Sequence, residues 1–268
     1  MVTRTSYEHG TPSWIDLMTP DVDGARAFYG GLFGWTADET TDDDGALLYV
    51  NLRKDGKLVA GLGEQPPEMA GMPPVWSTYV AVDNVDDVLE KVPAAGGTVM
   101  MPGMDVMEDV GRMAIFHDPT GAVIGLWQAG THLGAERVNE PDTWFWNELL
   151  TRDVDTAKAF YSAVFDWDWN GMDMGPMGTY HVVAGGESDG LAGMMAMPAE
   201  MPEQVPNHWM IYVMVADADA TAARAVELGG QVVQPPFDTP VGRQAVLHDP
   251  AGGSFSIMQP ADHSEDES

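Results

Sequence analysis

The chain contains no cysteine, which removes disulfides, thiolate nucleophiles, cysteine-ligated zinc and iron–sulfur clusters together. Any chemistry has to come from oxygen, nitrogen or thioether groups. Basic residues are also scarce. Only 12 Lys and Arg stand against 42 Asp and Glu, a net charge of -30, so a phosphate backbone or an anionic membrane is repelled over most of the surface. Neither nucleic acid nor membrane is expected as a partner. No apolar run is long enough to span a bilayer, and the opening MVTRTSYEHG has no apolar stretch of signal-peptide type, which predicts a cytoplasmic protein. The acid excess forms no Asp/Asn ladder of the EF-hand kind and reads as a solvated surface.

What is present is repetition. The 268 residues, 44% hydrophobic, suffice for two cores. Sliding the sequence by 132 places TPDVDGARAFYGGLFGW (Thr19 to Trp35) over TRDVDTAKAFYSAVFDW (Thr151 to Trp167), with ten identities in seventeen positions. WSTYVAVDN over WMIYVMVAD and FHDPTGAVIGLWQ over LHDPAGGSFSIMQ follow at nearly the same shift. The reading divides the chain into an N-terminal domain 1–130, a linker 131–141, a C-terminal domain 142–260 and a disordered acidic tail 261–268. Within each copy a strand leads to a helix whose apolar residues, Val22, Ala25, Phe28, Tyr29, Leu32 and Phe33 in the first, recur at helical spacing. Asp21 or Asp23 caps that helix and Gly34 ends it. Two strands joined by Lys54-Asp55-Gly56-Lys57 form a hairpin, and the pattern restarts at Val75. The order β-α-β-β-β occurs four times. The expected fold is α+β, each copy pairing two βαβββ units into an open eight-stranded cup with helices outside.

The strand followed by D-V-x4-A-F-Y-x3-F-x-W, and the closing HDPTGAVIGLW and HDPAGGSFSIM, resemble the vicinal oxygen chelate superfamily, which includes glyoxalase I, bleomycin-resistance proteins and extradiol dioxygenases. The tandem form is similar to an actinobacterial group of glyoxalase-like proteins. Members that use a metal carry His, Glu or Gln at inward positions of the first and last strands of each unit. By that resemblance the corresponding positions here are Trp14, Ser77, Gly61 and Gly125 in the first copy and Trp146, Met210, Gly193 and Ser256 in the second. These residues do not supply a ligand set for a divalent ion, so neither a metal nor another cofactor is expected. His117 and His248 fall in matching HDP turns and His132 in the linker.

Period-2 alternation puts Trp14, Asp16 and Met18 on one face of the first strand, and Trp146, Glu148 and Leu150 on its counterpart. A carboxylate beside indole and thioether groups could act as general base or hold a ligand hydroxyl; alternatively, Asp16 and Glu148 satisfy backbone N–H groups of a loop. Tyr49 and His181 match at the 132-residue shift and could orient a substrate. The candidate catalytic set is Asp16, Glu148, His181 and Tyr49. The candidate ligand wall is Trp14, Met18, Trp76, Trp127, Trp146, Tyr180, Met194, Trp209 and Met210. Arg112 and Arg243 match and read as structural ion pairs. Met172, Met174 and Met177 form either an adaptable apolar wall or a Cu(I) site, with the wall favoured. The expected function is metal-independent binding of a small apolar or aromatic molecule, for sequestration or as an accessory to natural-product metabolism. The alternative is a lyase, isomerase or hydroxylase-type enzyme using Asp16 or Glu148 as acid and base. A monomer or homodimer is expected, with the second cup more open to bulky apolar ligands.

Overall fold

The computed structural model describes residues 3–175, 178–185 and 190–261. Strand β1 (Pro12–Thr19) leads into helix α1 (Val22–Phe33). The Asp21 side chain accepts the Gly24 N–H at 2.8 Å, and Gly34 closes the helix in the left-handed region at φ 72°. Strands β2 (Thr36–Thr41), β3 (Leu47–Lys54) and β4 (Lys57–Glu64) follow. The β3–β4 turn needs positive φ at both central residues, Asp55 (47°) and Gly56 (77°), the geometry that Asp-Gly adopts most cheaply. The second unit comprises β5 (Val75–Ala81), α2 (Val85–Ala94), β6 (Thr98–Val106), β7 (Gly111–His117) and β8 (Val123–Ala129).

The second copy repeats the plan. Its first unit holds β9 (Thr143–Thr151), α3 (Val154–Phe165), β10 (Trp169–Asp173), β11 (Thr179–Val183) and β12 (Gly193–Ala196). Its second holds β13 (His208–Met214), α4 (Ala218–Glu227), β14 (Gln231–Thr239), β15 (Gly242–His248) and β16 (Ser254–Pro260). Each copy forms one open eight-stranded sheet, in the orders β2-β3-β4-β1-β5-β8-β7-β6 and β10-β11-β12-β9-β13-β16-β15-β14. The first strands of the two units pair antiparallel at the centre, and each is flanked by a parallel last strand. The tandem α+β architecture read from the sequence is the one observed.

The helices cover one face of each sheet, and those faces meet back to back. Phe255 of β16 packs against Phe28, Tyr29 and Phe33 of α1, with ring centroids 5.5–6.2 Å from its own. Phe160 of α3 packs on Phe116 of β7 at 5.8 Å. Two cores do form, but each is shared: α1 and the first unit pack with the second unit of the other copy, and α3 does the reciprocal. The Tyr29 hydroxyl donates to Asp249 Oδ2 at 3.0 Å and accepts from Trp76 Nε1 at 3.0 Å. Trp209 donates to Tyr161 in the same way at 2.9 Å, and Tyr161 faces Asp118. Between the cores the Thr78 hydroxyl donates to Asn147 Oδ1 at 2.8 Å.

The segment between the copies is docked on the first copy. Ala135 N–H donates to the Ser13 carbonyl and Glu136 N–H to that of Leu58, both at 2.8 Å. The Glu136 carboxylate takes the Leu58 N–H at 2.9 Å and Lys57 Nζ at 3.1 Å. Residues of the final segment beyond Ala261 lie outside the described residues.

Candidate functional site

On β1 Trp14, Asp16 and Met18 share one face, with Tyr49 and Tyr79, while Ile15 and Leu17 are fully buried on the other, where Leu17 lies opposite Trp76. Asp16 lies opposite Gly61 of β4 and Ser77 of β5. Its Oδ2 accepts from the hydroxyls of Tyr49 (3.1 Å) and Tyr79 (3.3 Å), and Tyr49 in turn accepts from Trp14 Nε1 at 3.0 Å. Asp16 Oδ1 has no hydrogen-bond partner among the described residues. Gly61 makes this ring possible, because a Cβ there would sit 1.9 Å from the Tyr49 hydroxyl. The same constellation recurs in the second copy. Glu148 accepts from the Tyr212 hydroxyl at 2.9 Å, Tyr180 offers its hydroxyl to the same group, and Trp146 Nε1 donates to Tyr180 at 2.8 Å. Gly193 there plays the part of Gly61, with the Tyr180 hydroxyl 2.0 Å from where a Cβ would stand.

Each cup thus carries one carboxyl group whose proton affinity is set by its surroundings. Burial, only partly offset by the Tyr49 and Tyr79 hydroxyls, pushes Asp16 up to about 6 from an ordinary 3.8. Burial raises Glu148 in the same direction against the opposing effect of Tyr180 and Tyr212. Tyr49, Tyr79, Tyr180 and Tyr212 are all pushed well above their usual range, by burial first and then by the neighbouring carboxylate, so they act as hydrogen-bond donors and not as bases. Such a ring can receive a hydroxyl, amine or carbonyl of a ligand, and the Asp16 carboxyl group, at about 6, can also exchange a proton with it.

Six of the residues singled out in the sequence join the two rings: Trp14, Asp16 and Tyr49 in the first, Trp146, Glu148 and Tyr180 in the second. Met18, Trp127 and Met210 share their faces: the Met18 thioether lies against Gly63, Trp127 is two residues from cup-facing Gly125, and Met210 pairs with Glu148. Neither carboxyl group is engaged by a loop backbone N–H, the structural alternative read from the sequence.

Four candidates belong elsewhere. Trp76 and Trp209 face the helices, where their indoles bond Tyr29 and Tyr161. Met194, fully buried opposite Leu149, lies in the core. His181 stands with Lys158 of α3, Nζ to Nδ1 3.4 Å, and burial lowers its proton affinity with help from that lysine. The partner of Tyr49 in the second copy is Tyr180, one residue earlier, and a one-residue slip in a strand reverses the face. Tyr79 and Tyr212 were not anticipated. They share the parity of Ser77 and Met210 in WSTYVAV and WMIYVMV, which is the signal that identifies them.

Arg112 binds Asp86 and Asp105, and Arg243 binds Asp219 and Asp238, at 2.6–3.0 Å. The turn after β7 is organised by Asp118, which takes the N–H groups of Thr120 and Ala122; the His117 ring meets the Asp118 carbonyl at 3.1 Å. Met172 is 44% exposed on edge strand β10 opposite Tyr180, Met174 follows in the turn, and Met177 lies outside the described residues. A cavity of about 360 Å³ lies between the N-terminal segment around Tyr7 and Thr11 and the start of the second copy around Trp144 and Phe145, whose ring packs edge-on to Tyr212.

The glyoxalase/bleomycin resistance protein/dioxygenase superfamily model matches residues 11–126, and a glyoxalase-like domain model matches residues 148–258. A protein named "Putative glyoxylase CFP32" from Mycobacterium bovis is 48% identical over 97% of this chain and 99% of its own. The chain belongs to the glyoxalase/bleomycin resistance protein/dioxygenase superfamily. Within that superfamily it is also similar to the anthracycline biosynthesis protein DauV of Streptomyces sp. strain C5, 39% identical over 95% of each chain. Its fold matches the Mn(II)-bound glyoxalase from Novosphingobium aromaticivorans, with a TM-score of 0.63, 14% identity, and coverage of 95% of this chain and 84% of that one. The 2,3-dioxygenase LapB from Pseudomonas sp. KL28 matches equally, at 0.63 and 14%, over 98% and 96%.

These superfamily folds raise the question of a metal. The donors in each ring are one carboxylate and two phenols, the carboxylate already engaged by the phenols. No group of three or more His, Cys, Asp or Glu among the described residues could hold an ion. The residues present do not fit a divalent metal centre.

Proposed function

We propose that this superfamily member binds a small aromatic molecule in its cups without a metal, as an accessory to natural-product metabolism or by sequestration. The carrying observation is the repeated ring of a buried carboxyl group, two tyrosine hydroxyls and a tryptophan on the cup face of each sheet. Indole and thioether walls favour a flat apolar body. A single carboxyl group with phenolic donors fixes one polar substituent, since burial makes an unpaired hydroxyl costly. Similarity to a protein named for anthracycline biosynthesis supports a hydroxylated polycyclic aromatic as the ligand type.

A second reading uses the same groups for proton transfer: Asp16, poised near neutral pH, would accept a proton from a bound enolisable carbonyl compound and return it. The two readings separate in one experiment. Titration with 1,2-dihydroxyanthraquinone, followed by tryptophan quenching, should saturate and return the compound unchanged by chromatography. Conversion that survives EDTA and disappears in Asp16→Asn or Glu148→Gln would replace binding by catalysis. Absence of saturable quenching would overturn the binding reading.

A further inference from the structure

The chain leaves the two cups by the same step. After β8, Gly130 N–H donates to the Val110 carbonyl at 3.1 Å; after β16, Ala261 N–H donates to that of Val241 at 3.1 Å. In the first copy the path beyond that step is visible. Trp127 Nε1 holds the His132 carbonyl at 2.8 Å, and the imidazole stands edge-on to Trp14, with centroids 4.5 Å apart and planes at 85°. It also stands edge-on to Trp127 at 5.5 Å. Gly134 N–H donates to His132 Nδ1 at 3.2 Å, so the ring proton belongs on Nε2. Burial lowers the proton affinity of His132, which keeps the ring neutral. Beneath it Trp14 is 4% exposed, whereas the carboxyl groups of the two cups are buried alike, Asp16 at 5% and Glu148 at 7%.

The second cup is built differently at the same positions. Trp146 is half-buried against the cluster of Met210, Tyr212 and Met258, and among the described residues no ring stands edge-on to it as His132 does to Trp14. The counterpart of Trp127 is Met258 and that of Ser77 is Met210, two thioethers that repack around varied apolar shapes. Glu148 has one more methylene than Asp16 to reach a ligand. The counterpart of His132 at the same step is His263, outside the described residues.

We infer that the first cup is occupied by the chain's own His132, and that the second takes the aromatic ring of an external molecule in the equivalent place, edge-on to Trp146, with a phenolic hydroxyl on Glu148. This inference rests on the binding reading above. His132 against Trp14 is the internal template for the ligand: a flat, neutral ring carrying a hydrogen-bonding edge.

The test is calorimetric titration of the full chain with 1,2-dihydroxyanthraquinone. The expected result is one molecule bound per chain, with Trp146→Leu weakening it at least tenfold. His132→Ala should raise the stoichiometry to two. Gly134→Ala should do the same without touching the imidazole, because its Cβ would meet the Ser13 carbonyl oxygen at 2.4 Å and lift the segment. Two molecules bound by the unaltered chain, or one still bound by both linker variants while circular dichroism shows them folded, would overturn the assignment. So would no binding by the unaltered chain but one molecule bound by a chain ending at Ala261, since the second cup would then also be self-occupied. No binding by any variant would instead sink the binding reading itself.

Discussion

Asp16 should make the protein lose stability as pH rises from 4 to 7. Its carboxyl group is moved from 3.8 to about 6 by burial in the first cup. At about 1.4 kcal/mol per unit, that displacement is about 3 kcal/mol. The sign follows from linkage. The folded state holds this proton more tightly than the unfolded chain, so between pH 3.8 and 6 the native protein binds more protons and stability falls with rising pH. Below pH 3.8 there is no penalty, and above 6 it is complete. Asp16→Asn keeps an oxygen for the Tyr49 and Tyr79 hydroxyls and cannot ionise. Urea unfolding of both proteins from pH 3.5 to 7.5 isolates the effect, because the acidic background of the chain is common to both and cancels in the difference. The stability of Asp16→Asn relative to the unaltered protein should improve by about 3 kcal/mol across that range. A difference that stays constant within about 0.5 kcal/mol would refute the reasoning that this carboxyl group is desolvated.

Three further outcomes are expected. Tyr29→Phe removes the donor to Asp249 and the acceptor for Trp76 in a shared core, and should cost about 2 kcal/mol in urea unfolding. Gly193→Ala forces Tyr180 away from Glu148, since the new Cβ would lie 2.0 Å from its hydroxyl; it should lower stability by about 1–3 kcal/mol and weaken 1,2-dihydroxyanthraquinone at least tenfold by calorimetry. Fragments 1–137 and 138–268 should each fail alone to give the dispersed amide spectrum of a folded protein, because α1 and α3 complete cores in the opposite copy. Mixing the two should restore that spectrum.

Much of the candidate site's placement was legible because strands alternate strictly. Spacing alone assigns Trp14, Asp16 and Met18 to one face, and the structure gathers them around Tyr49 and Gly63. The same rule shows why Trp76 and Trp209 were misplaced: each is one residue from Ser77 or Met210, and so must face the other way. A single 132-residue shift pairs Tyr49 with His181 and leaves Tyr180 in the ligand wall, because the loop it crosses differs in length by one residue between copies. In a helix such a slip turns a side chain by 100°, but in a strand it moves it to the opposite side of the sheet. Met194 sits beside Gly193 and suffers the same reversal.

Duplication, the βαβββ order and the superfamily were therefore determined by the sequence, because helix caps, turn residues and apolar periods are local properties repeated in register. Tertiary structure alone decided that the cores are exchanged, with Tyr29 bonded to a residue 220 positions away. It alone brought Tyr79 and Tyr212 onto the carboxyl groups and laid His132 over Trp14. Those contacts depend on how two sheets stack and where a non-periodic segment folds back, and a linear pattern carries no record of either.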